Sequence, residues 1–240
     1  MSQFGIAWGE WVWASAHGGF GRGTAAAGAA TTPAAAVLAA VAALGIGAQQ
    51  ADAALIAAWN LNNLDPASGA IVSATTGSGT LDCTGLGTGL GLMQGTTLGA
   101  QPGEVAGNAL AVVGNAYNQA SLRLEVATDG FTDLGLSFAT RRSSTGFAMN
   151  RIEYWSGLGW STLANFGSNP TAWEVQTYSL ASLDAVGGGY LTLRIVIDGA
   201  TGSTGSIRFD NFAVTGTAVP APAGAVALLG LAGLVARRRR

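Results

Sequence analysis

The apolar residues in the middle of the chain recur at every second position. In the segment SLRLEVATDG, Leu122, Leu124 and Val126 alternate with Arg123 and Glu125. Such alternation is typical of a β-strand with one face against a core and the other toward solvent. The segments FTDLGLSFAT and YLTLRIVIDG have the same period. The pattern therefore predicts half-buried strands for most of the chain after residue 54.

About ten such strands are predicted. They lie at residues 55–62, 70–74, 109–113, 121–130, 131–140, 147–155, 160–165, 173–180, 190–199 and 207–215. Two antiparallel sheets packed face to face would bury this many half-apolar strands, so we expect an all-β, two-sheet β-sandwich. Residues 75–107, rich in Gly and Thr, are expected to form either a long loop over one end of the sandwich or a pair of irregular edge strands.

The last predicted strand contains a break in the alternation. Ile207 and Phe209 are odd-numbered, whereas the next large apolar residue, Phe212, is even-numbered. A one-residue slip normally turns the core face of a strand outward. The sequence therefore predicts a β-bulge at Asp210 and Asn211 that returns Phe212 to the core.

A hairpin in the segment RIEYWSGLGWSTL holds the strongest candidates for ligand binding. A turn over residues 156–159 would place Trp155 opposite Trp160 on one face, and alternation adds Arg151 and Glu153 to the same face. An exposed tryptophan pair beside charged residues forms a flat platform on which sugar rings stack. The alternative is a cross-strand aromatic pair that only stabilises the hairpin, by about 0.2–1 kcal/mol.

With the number of strands, the segments IEYWSGLGWSTL and IRFDNFAVTG resemble the jelly-roll domains that bacteria use as carbohydrate-binding modules and as ectodomains of surface proteins. Similar modules often bind a structural Ca²⁺ through an aspartate of the final strand, with partners near the first strand. The resemblance implies calcium binding by Asp210, with Asn60 or Asp65 as partners. The alternative is that Asp210 and Asn211 hydrogen-bond the bulged backbone. No other cofactor is expected.

The segment VPAPAGAVALLGLAGLVARRRR, residues 219–240, combines two spaced prolines, fourteen small apolar residues and four arginines. Fourteen residues are fewer than the roughly 17 of an ordinary membrane-spanning helix. Arginines held on the cytoplasmic side would still let the segment stop transfer across the membrane. The prolines break any preceding strand or helix, so the junction is expected to be accessible to an enzyme.

This order of features resembles the PEP-CTERM sorting signal of Gram-negative bacteria, which an exosortase is thought to process during export to the cell surface. The resemblance implies a sorting motif formed by Val219, Pro220, Pro222, Arg237, Arg238, Arg239 and Arg240. Ala221 stands where the family has its namesake glutamate. The alternative is a plain C-terminal membrane anchor.

Residues 34–48 have the length and apolar character of a signal-peptide core. Ala51 and Ala53 follow at the −3 and −1 positions that a signal peptidase reads, which predicts cleavage after Ala53 and export through the Sec translocon. A buried alanine-rich helix is the alternative. The segment upstream lacks a basic region, so either the leader is extended or translation starts later. The predicted organisation is a leader and signal peptide over residues 1–53, a β-sandwich over 54–216 and a sorting signal over 217–240.

Charge and composition exclude several classes of function. Residues 54–218 contain six arginines and eleven acidic residues, so a basic patch for nucleic acid is not expected. Cys83 is the one cysteine of the chain, which excludes an intrachain disulfide. The one histidine, His17, lies in the predicted leader, which leaves the mature domain without a histidine-based catalytic dyad. No catalytic residue is predicted.

The sequence therefore predicts an exported, non-enzymatic protein of the cell surface or extracellular matrix, anchored in the membrane only until processing. Its expected partners are the Sec translocon, an exosortase and exopolysaccharide. The first alternative is a carbohydrate-binding module that uses Trp155 and Trp160. The second, less supported, is a polysaccharide hydrolase, which needs two acids across a cleft and would draw them from Glu125, Glu153 and Glu174.

Overall fold

The computed structural model describes residues 53–67, 70–183 and 189–219, and these residues form thirteen β-strands. In chain order they are β1 (Ala53–Trp59), β2 (Ile71–Ser73), β3 (Thr76–Gly77), β4 (Gly79–Asp82), β5 (Leu90–Gln94), β6 (Asn108–Val113), β7 (Ser121–Ala127), β8 (Phe131–Arg142), β9 (Asn150–Trp155), β10 (Trp160–Phe166), β11 (Glu174–Ser179), β12 (Tyr190–Val196) and β13 (Ser206–Ala218). None of these residues lies in a helix long and apolar enough to cross a membrane. The predicted signal helix and C-terminal apolar helix lie outside the described residues.

The strands form two sheets. In the first sheet the order is β11-β8-β13-β1-β3, and the β5–β6 pair joins it through β13. In the second sheet the order is β10-β9-β12-β7-β4-β2. Neighbouring strands are antiparallel in both sheets. The expected fold, an antiparallel two-sheet β-sandwich, is confirmed.

The alternation read from the sequence determines which side chains enter the core. On β7, Leu122, Leu124 and Val126 are buried, and on β12 Leu193 and Ile195 are fully buried. Each large aliphatic side chain removed from water in this way contributes about 1.5–3 kcal/mol. The polar residues between them lie on the outer face of the second sheet, and this arrangement makes a polar surface available above a rigid apolar layer.

The predicted bulge on β13 is present and shifts the register of the strand by one residue. The pairing of β13 with β8 shifts between Asp210 and Ala213, and Asn211 takes a φ of +52°. Asn is one of the few residue types that accept this left-handed conformation. As a result Phe209 and Phe212 both point into the core, where their ring centroids lie 5.8 and 5.3 Å from that of Phe138.

The structure differs from the sequence-based expectation over residues 75–107. This segment contains three short strands, and only β3 and β5 lie at sheet edges. The third, β4, pairs with both β2 and β7 and is therefore an interior strand of the second sheet. Its single buried apolar side chain is Leu81. One apolar residue does not establish a period, so alternation could not reveal this strand.

Candidate functional site

The β9–β10 hairpin forms as predicted and brings two tryptophans together. Ser156 N donates to Gly159 O at 2.9 Å, and Gly157 takes a φ of +87°, which favours glycine. The turn pairs Trp155 with Trp160, whose ring centroids are 5.5 Å apart. The rings meet at 67°, edge to face, so they do not form the single flat platform expected from the sequence. The edge of one ring lies against the face of the other, and we name this pair the tryptophan corner.

The two tryptophans differ in how much ring surface they offer. The guanidinium carbon of Arg194 lies over the Trp160 ring, 4.3 Å from its centroid, and Trp160 is half-buried. Trp155 is 43% exposed. Because Arg194 covers one face of Trp160, Trp155 provides most of the accessible aromatic surface of the corner.

A buried carboxylate orients the arginines around the tryptophan corner. Glu153, on β9, is only 6% exposed, and its two oxygens accept from different arginines: Oε1 from Arg151 Nε at 2.6 Å, and Oε2 from Arg194 Nε at 2.5 Å. Burial alone would raise the pKa of Glu153, but the hydrogen bonds and charges of the two arginines outweigh it and hold the pKa below its ordinary value. Glu153 is therefore ionised at neutral pH and fixes Arg194 above Trp160.

The tryptophan corner borders a groove on the outer face of the second sheet. The groove encloses about 350 Å³ and is lined by Arg123, Glu125, Trp155, Trp160 and Thr192. A second depression of about 260 Å³ continues past Trp160 and Arg194 toward Asp82 and Ser121. We name these two depressions and the side chains that line them the outer-face groove. It offers one exposed aromatic ring beside several hydrogen-bonding groups, a combination that suits a polar ligand with apolar faces.

The alternation of the sequence places Arg123, Glu125, Thr192 and Arg194 on the outward faces of their strands, but it does not associate them with the tryptophans. Their proximity follows from the strand order β9-β12-β7, in which Glu153 pairs with Arg194 and Arg194 with Arg123. Alternation reports the face of a strand and carries no information about its neighbours. The outward polar residues can therefore be identified from the sequence, but the pairing of their strands cannot.

A second cluster lies at the bulge of β13. Asp210, only 1% exposed, accepts from Thr96 N at 2.8 Å and from Asn211 N at 2.9 Å. Asn211 Nδ2 donates to the carbonyl oxygens of Thr96 and Leu98, at 2.8 and 3.0 Å. These bonds tie the segment after β5 to the bulge. Asp210 thus hydrogen-bonds the bulged backbone at Asn211 N, whereas the side chain of Asn211 bonds the segment after β5.

Two of the three predicted calcium ligands lie near one further acid. Asn60 Nδ2 donates to Glu104 Oε1 at 2.9 Å, and burial, with the charge of Glu104 adding to it, raises the pKa of Asp210 to about 6. Carboxylate and amide oxygens are calcium ligands, so Asp210, Glu104 and Asn60 fit calcium in kind. Asp65 is exposed, and its Oδ1 accepts from Ala67 N at 2.9 Å in the turn after β1. Among the described residues, no group of three His, Cys, Asp or Glu side chains could hold a metal ion.

The three glutamates considered for hydrolysis do not share one sheet. Glu125 and Glu153 lie in the second sheet, whereas Glu174 lies on β11 of the first and accepts from Asn169 N. A glycosidase needs one carboxyl group that stays protonated to donate to the leaving oxygen. The lowered pKa of Glu153 makes it unsuited to that role.

Neither a known protein family nor a curated protein matches the chain. Several solved structures are similar to parts of the chain. The CBM22-1 xylan-binding domain of Xyn10C from Paenibacillus barcinonensis is 12% identical with a TM-score of 0.41, and the match covers 73% of this chain and 100% of that domain. The K3 cleaved adhesin domain of Lys-gingipain from Porphyromonas gingivalis is 13% identical with a TM-score of 0.40, covering 68% and 99%. A variant of CBM29-2, a family 29 carbohydrate-binding module, is 12% identical with a TM-score of 0.38, covering 70% and 94%. At such identities the function has to be argued from the side chains of this chain.

Proposed function

We propose that the outer-face groove binds a polysaccharide and that the domain is a non-enzymatic binding module. The observation that carries the proposal is the position of Trp155, a large ring 43% exposed at the border of a groove lined by polar and charged side chains. Sugar rings have apolar C–H faces and hydroxyl edges. They pack on an aromatic face while their hydroxyl groups hydrogen-bond neighbouring polar groups.

The rigidity of the groove supports this function. Trp160 supports Trp155 from the side, Arg194 covers Trp160, and Glu153 fixes Arg194. A binding surface held in place before the ligand arrives loses less conformational entropy on binding. Of the strands beneath, β7, β9 and β12 are each hydrogen-bonded to a neighbouring strand on both sides. The groove is thus prepared for an extended chain and needs no large rearrangement to receive one.

The test is affinity electrophoresis of the folded domain through gels that contain soluble polysaccharides. Trp155→Ala should lower the affinity for the retarding polysaccharide at least about tenfold, which corresponds to about 1.4 kcal/mol. Leu158→Ala is the matched control, because Leu158 lies in the same hairpin turn and is 98% exposed. If the wild-type chain is not retarded by any polysaccharide of a broad panel, or if Trp155→Ala binds as the wild type does, the proposed function is wrong.

The export and sorting of this module are a second proposal, which rests on the sequence of residues 219–240. The spaced prolines, the apolar segment and the four arginines support recognition by an exosortase after passage through the Sec translocon. The module would then act at the cell surface or in the exopolysaccharide matrix. Mass spectrometry of the protein recovered from the surface of its host tests this. We expect loss of the peptide that contains Arg237 to Arg240, and an intact C-terminus on surface-exposed protein would contradict processing.

A further inference from the structure

All six charged residues that the structure describes on the strands of the second sheet form ion pairs. Arg123 lies between two acids, with its Nη2 3.2 Å from Asp82 Oδ2 and its Nε 3.4 Å from Glu125 Oε1. Arg151 and Arg194 share the carboxylate of Glu153, one on each oxygen. Three guanidinium groups thus meet three carboxylates on one face. The pairs follow from strand register, because Asp82 pairs with Arg123 and Glu153 with Arg194 across neighbouring strands.

We propose that this face takes uncharged polysaccharide and rejects polysaccharides that carry uronate or sulfate groups, because its arginines already hold carboxylates of the protein. The inference rests on the proposed function and specifies the class of ligand for the same groove. An anionic sugar recognised by arginine needs a guanidinium with free donors facing the ligand. Each guanidinium keeps further N–H donors, but its charge is already matched by Asp82, Glu125 or Glu153. A sugar anion would gain full charge pairing only by displacing one of these carboxylates.

Displacement of these carboxylates is unfavourable for different reasons. Glu153 is buried, and a buried carboxylate that loses its partner is left as an uncompensated charge. Asp82 also accepts from the backbone and hydroxyl of Thr84, at 2.9 and 2.6 Å, which keeps it beside Arg123. Glu125 has no second partner of this kind, but its side chain is 44% exposed, nearly as much as that of Arg123 at 46%. An incoming anion therefore meets the negative charge as readily as the positive one.

The charge of the whole domain acts in the same direction. Residues 54–218 contain six arginines and eleven acidic residues, a formal charge of −5. Like charges slow the encounter of a polyanion with the domain, and the effect is strongest at low ionic strength. An uncharged chain does not experience this repulsion. Its contacts are ring stacking on Trp155 and hydrogen bonds between hydroxyl groups and the paired side chains.

The experiment compares two sets of soluble polymers by affinity electrophoresis and by titration calorimetry. Xyloglucan, galactan and galactomannan form the uncharged set; polygalacturonate, alginate and chondroitin sulfate form the anionic set. We expect binding to at least one uncharged polymer, changing less than about twofold between about 50 and 500 mM NaCl, because no ion pair forms with the ligand. The anionic polymers should bind at least about tenfold more weakly at either salt concentration.

A charge variant tests the physical reason. Glu125→Gln leaves Arg123 with one carboxylate and should raise the affinity for polygalacturonate at least about threefold at low salt. Asp133→Asn is the matched control. It removes the same charge from β8 of the first sheet, at an exposed position whose φ of +50° asparagine accepts. It should leave binding of the uncharged polymers unchanged and raise the affinity for polygalacturonate by less than Glu125→Gln does.

The outcomes separate this inference from the proposed function. Binding of anionic polymers that exceeds binding of uncharged ones, is lost in Trp155→Ala and weakens steeply with salt would overturn the inference and leave polysaccharide binding intact. Equal gains for polygalacturonate in Glu125→Gln and Asp133→Asn would show that net charge acts and the pairing on this face does not. Absence of binding to every polymer would overturn the proposed function itself.

Discussion

The guanidinium of Arg194 lies 4.3 Å from the centre of the Trp160 ring while its Nε donates to Glu153 Oε2. A guanidinium does both because it is planar and carries its donors at the edge, so its face stays free to stack. The arrangement links a buried charge on β9 to an aromatic ring on β10 through a residue of β12. Three strands of the second sheet are thus held together on their outer face as well as by backbone hydrogen bonds.

Replacement of Arg194 by lysine should be costly although it preserves the charge. Lysine cannot stack on Trp160 and donate to Glu153 in the same geometry. We expect the free energy of unfolding to fall by about 1 kcal/mol. Urea unfolding measures it. Arg141→Lys, on β8 of the first sheet, is the matched control and should change stability by less than about 0.5 kcal/mol. Equal losses in the two variants would contradict the specific role of Arg194.

Replacement of Glu153 by glutamine should destabilise the protein in a pH-dependent manner. At neutral pH the variant leaves Arg151 and Arg194 without their shared anion, and we expect a loss of about 1–3 kcal/mol. The pKa of Glu153 is lowered in the folded state from an ordinary value of 4.5. Its contribution is therefore complete above pH 4.5 and is lost as the pH falls through the folded pKa.

The stability of the wild-type protein and that of Glu153→Gln should consequently converge in acid. Urea unfolding curves at a series of pH values measure the difference between the two proteins. A difference that stays constant from neutral pH to well below pH 4.5 would show that glutamine perturbs packing and that the charge of Glu153 contributes nothing.

Substitutions of Asn211 should separate backbone strain from hydrogen bonding at the bulge. Alanine disfavours a φ of +52° and cannot make the hydrogen bonds to Thr96 and Leu98. We therefore expect Asn211→Ala to lower the free energy of unfolding by about 2–4 kcal/mol. Glycine accepts this conformation, so Asn211→Gly loses only the hydrogen bonds and should lower the free energy of unfolding by about half as much. Hydrogen exchange of the amides of residues 96–98 should accelerate in both variants. Identical stabilities of the two variants would mean that the backbone conformation carries no strain.

Calcium, if it binds at the bulge, should stabilise the domain through Asp210 and Glu104. A ligand that binds only the folded state stabilises it by about 2.7 kcal/mol at a concentration one hundred times its Kd. We expect the melting temperature to rise in millimolar CaCl₂, to rise less in MgCl₂, and not to rise in Asp210→Asn. Asp65→Asn should keep the response, since Asp65 bonds within its own turn. No change of the wild-type melting temperature would end the calcium hypothesis.

Local features of this fold were predictable from the sequence. The alternation of β7 and β12, the Ser156–Gly159 turn and the bulge at Asp210 each depend on residues close together in the chain. What the sequence did not reveal depends on contacts between distant residues. Glu104 meets Asn60 across 44 positions. Arg123 and Trp160 line the same groove although β9 and β12 lie between their strands, β7 and β10, in the sheet. Strand order is a property of the whole chain, so the groove could not be assembled from any one segment.

The central position of β13 also constrains when the domain can fold. One edge of this strand pairs with β8, and the other pairs with β6 along its first half and with β1 along its second. A chain that crosses a membrane N-terminus first delivers these residues last, so the sandwich stays open until almost all of it has emerged. A chain that ends before Ser206 should accordingly unfold without a cooperative transition.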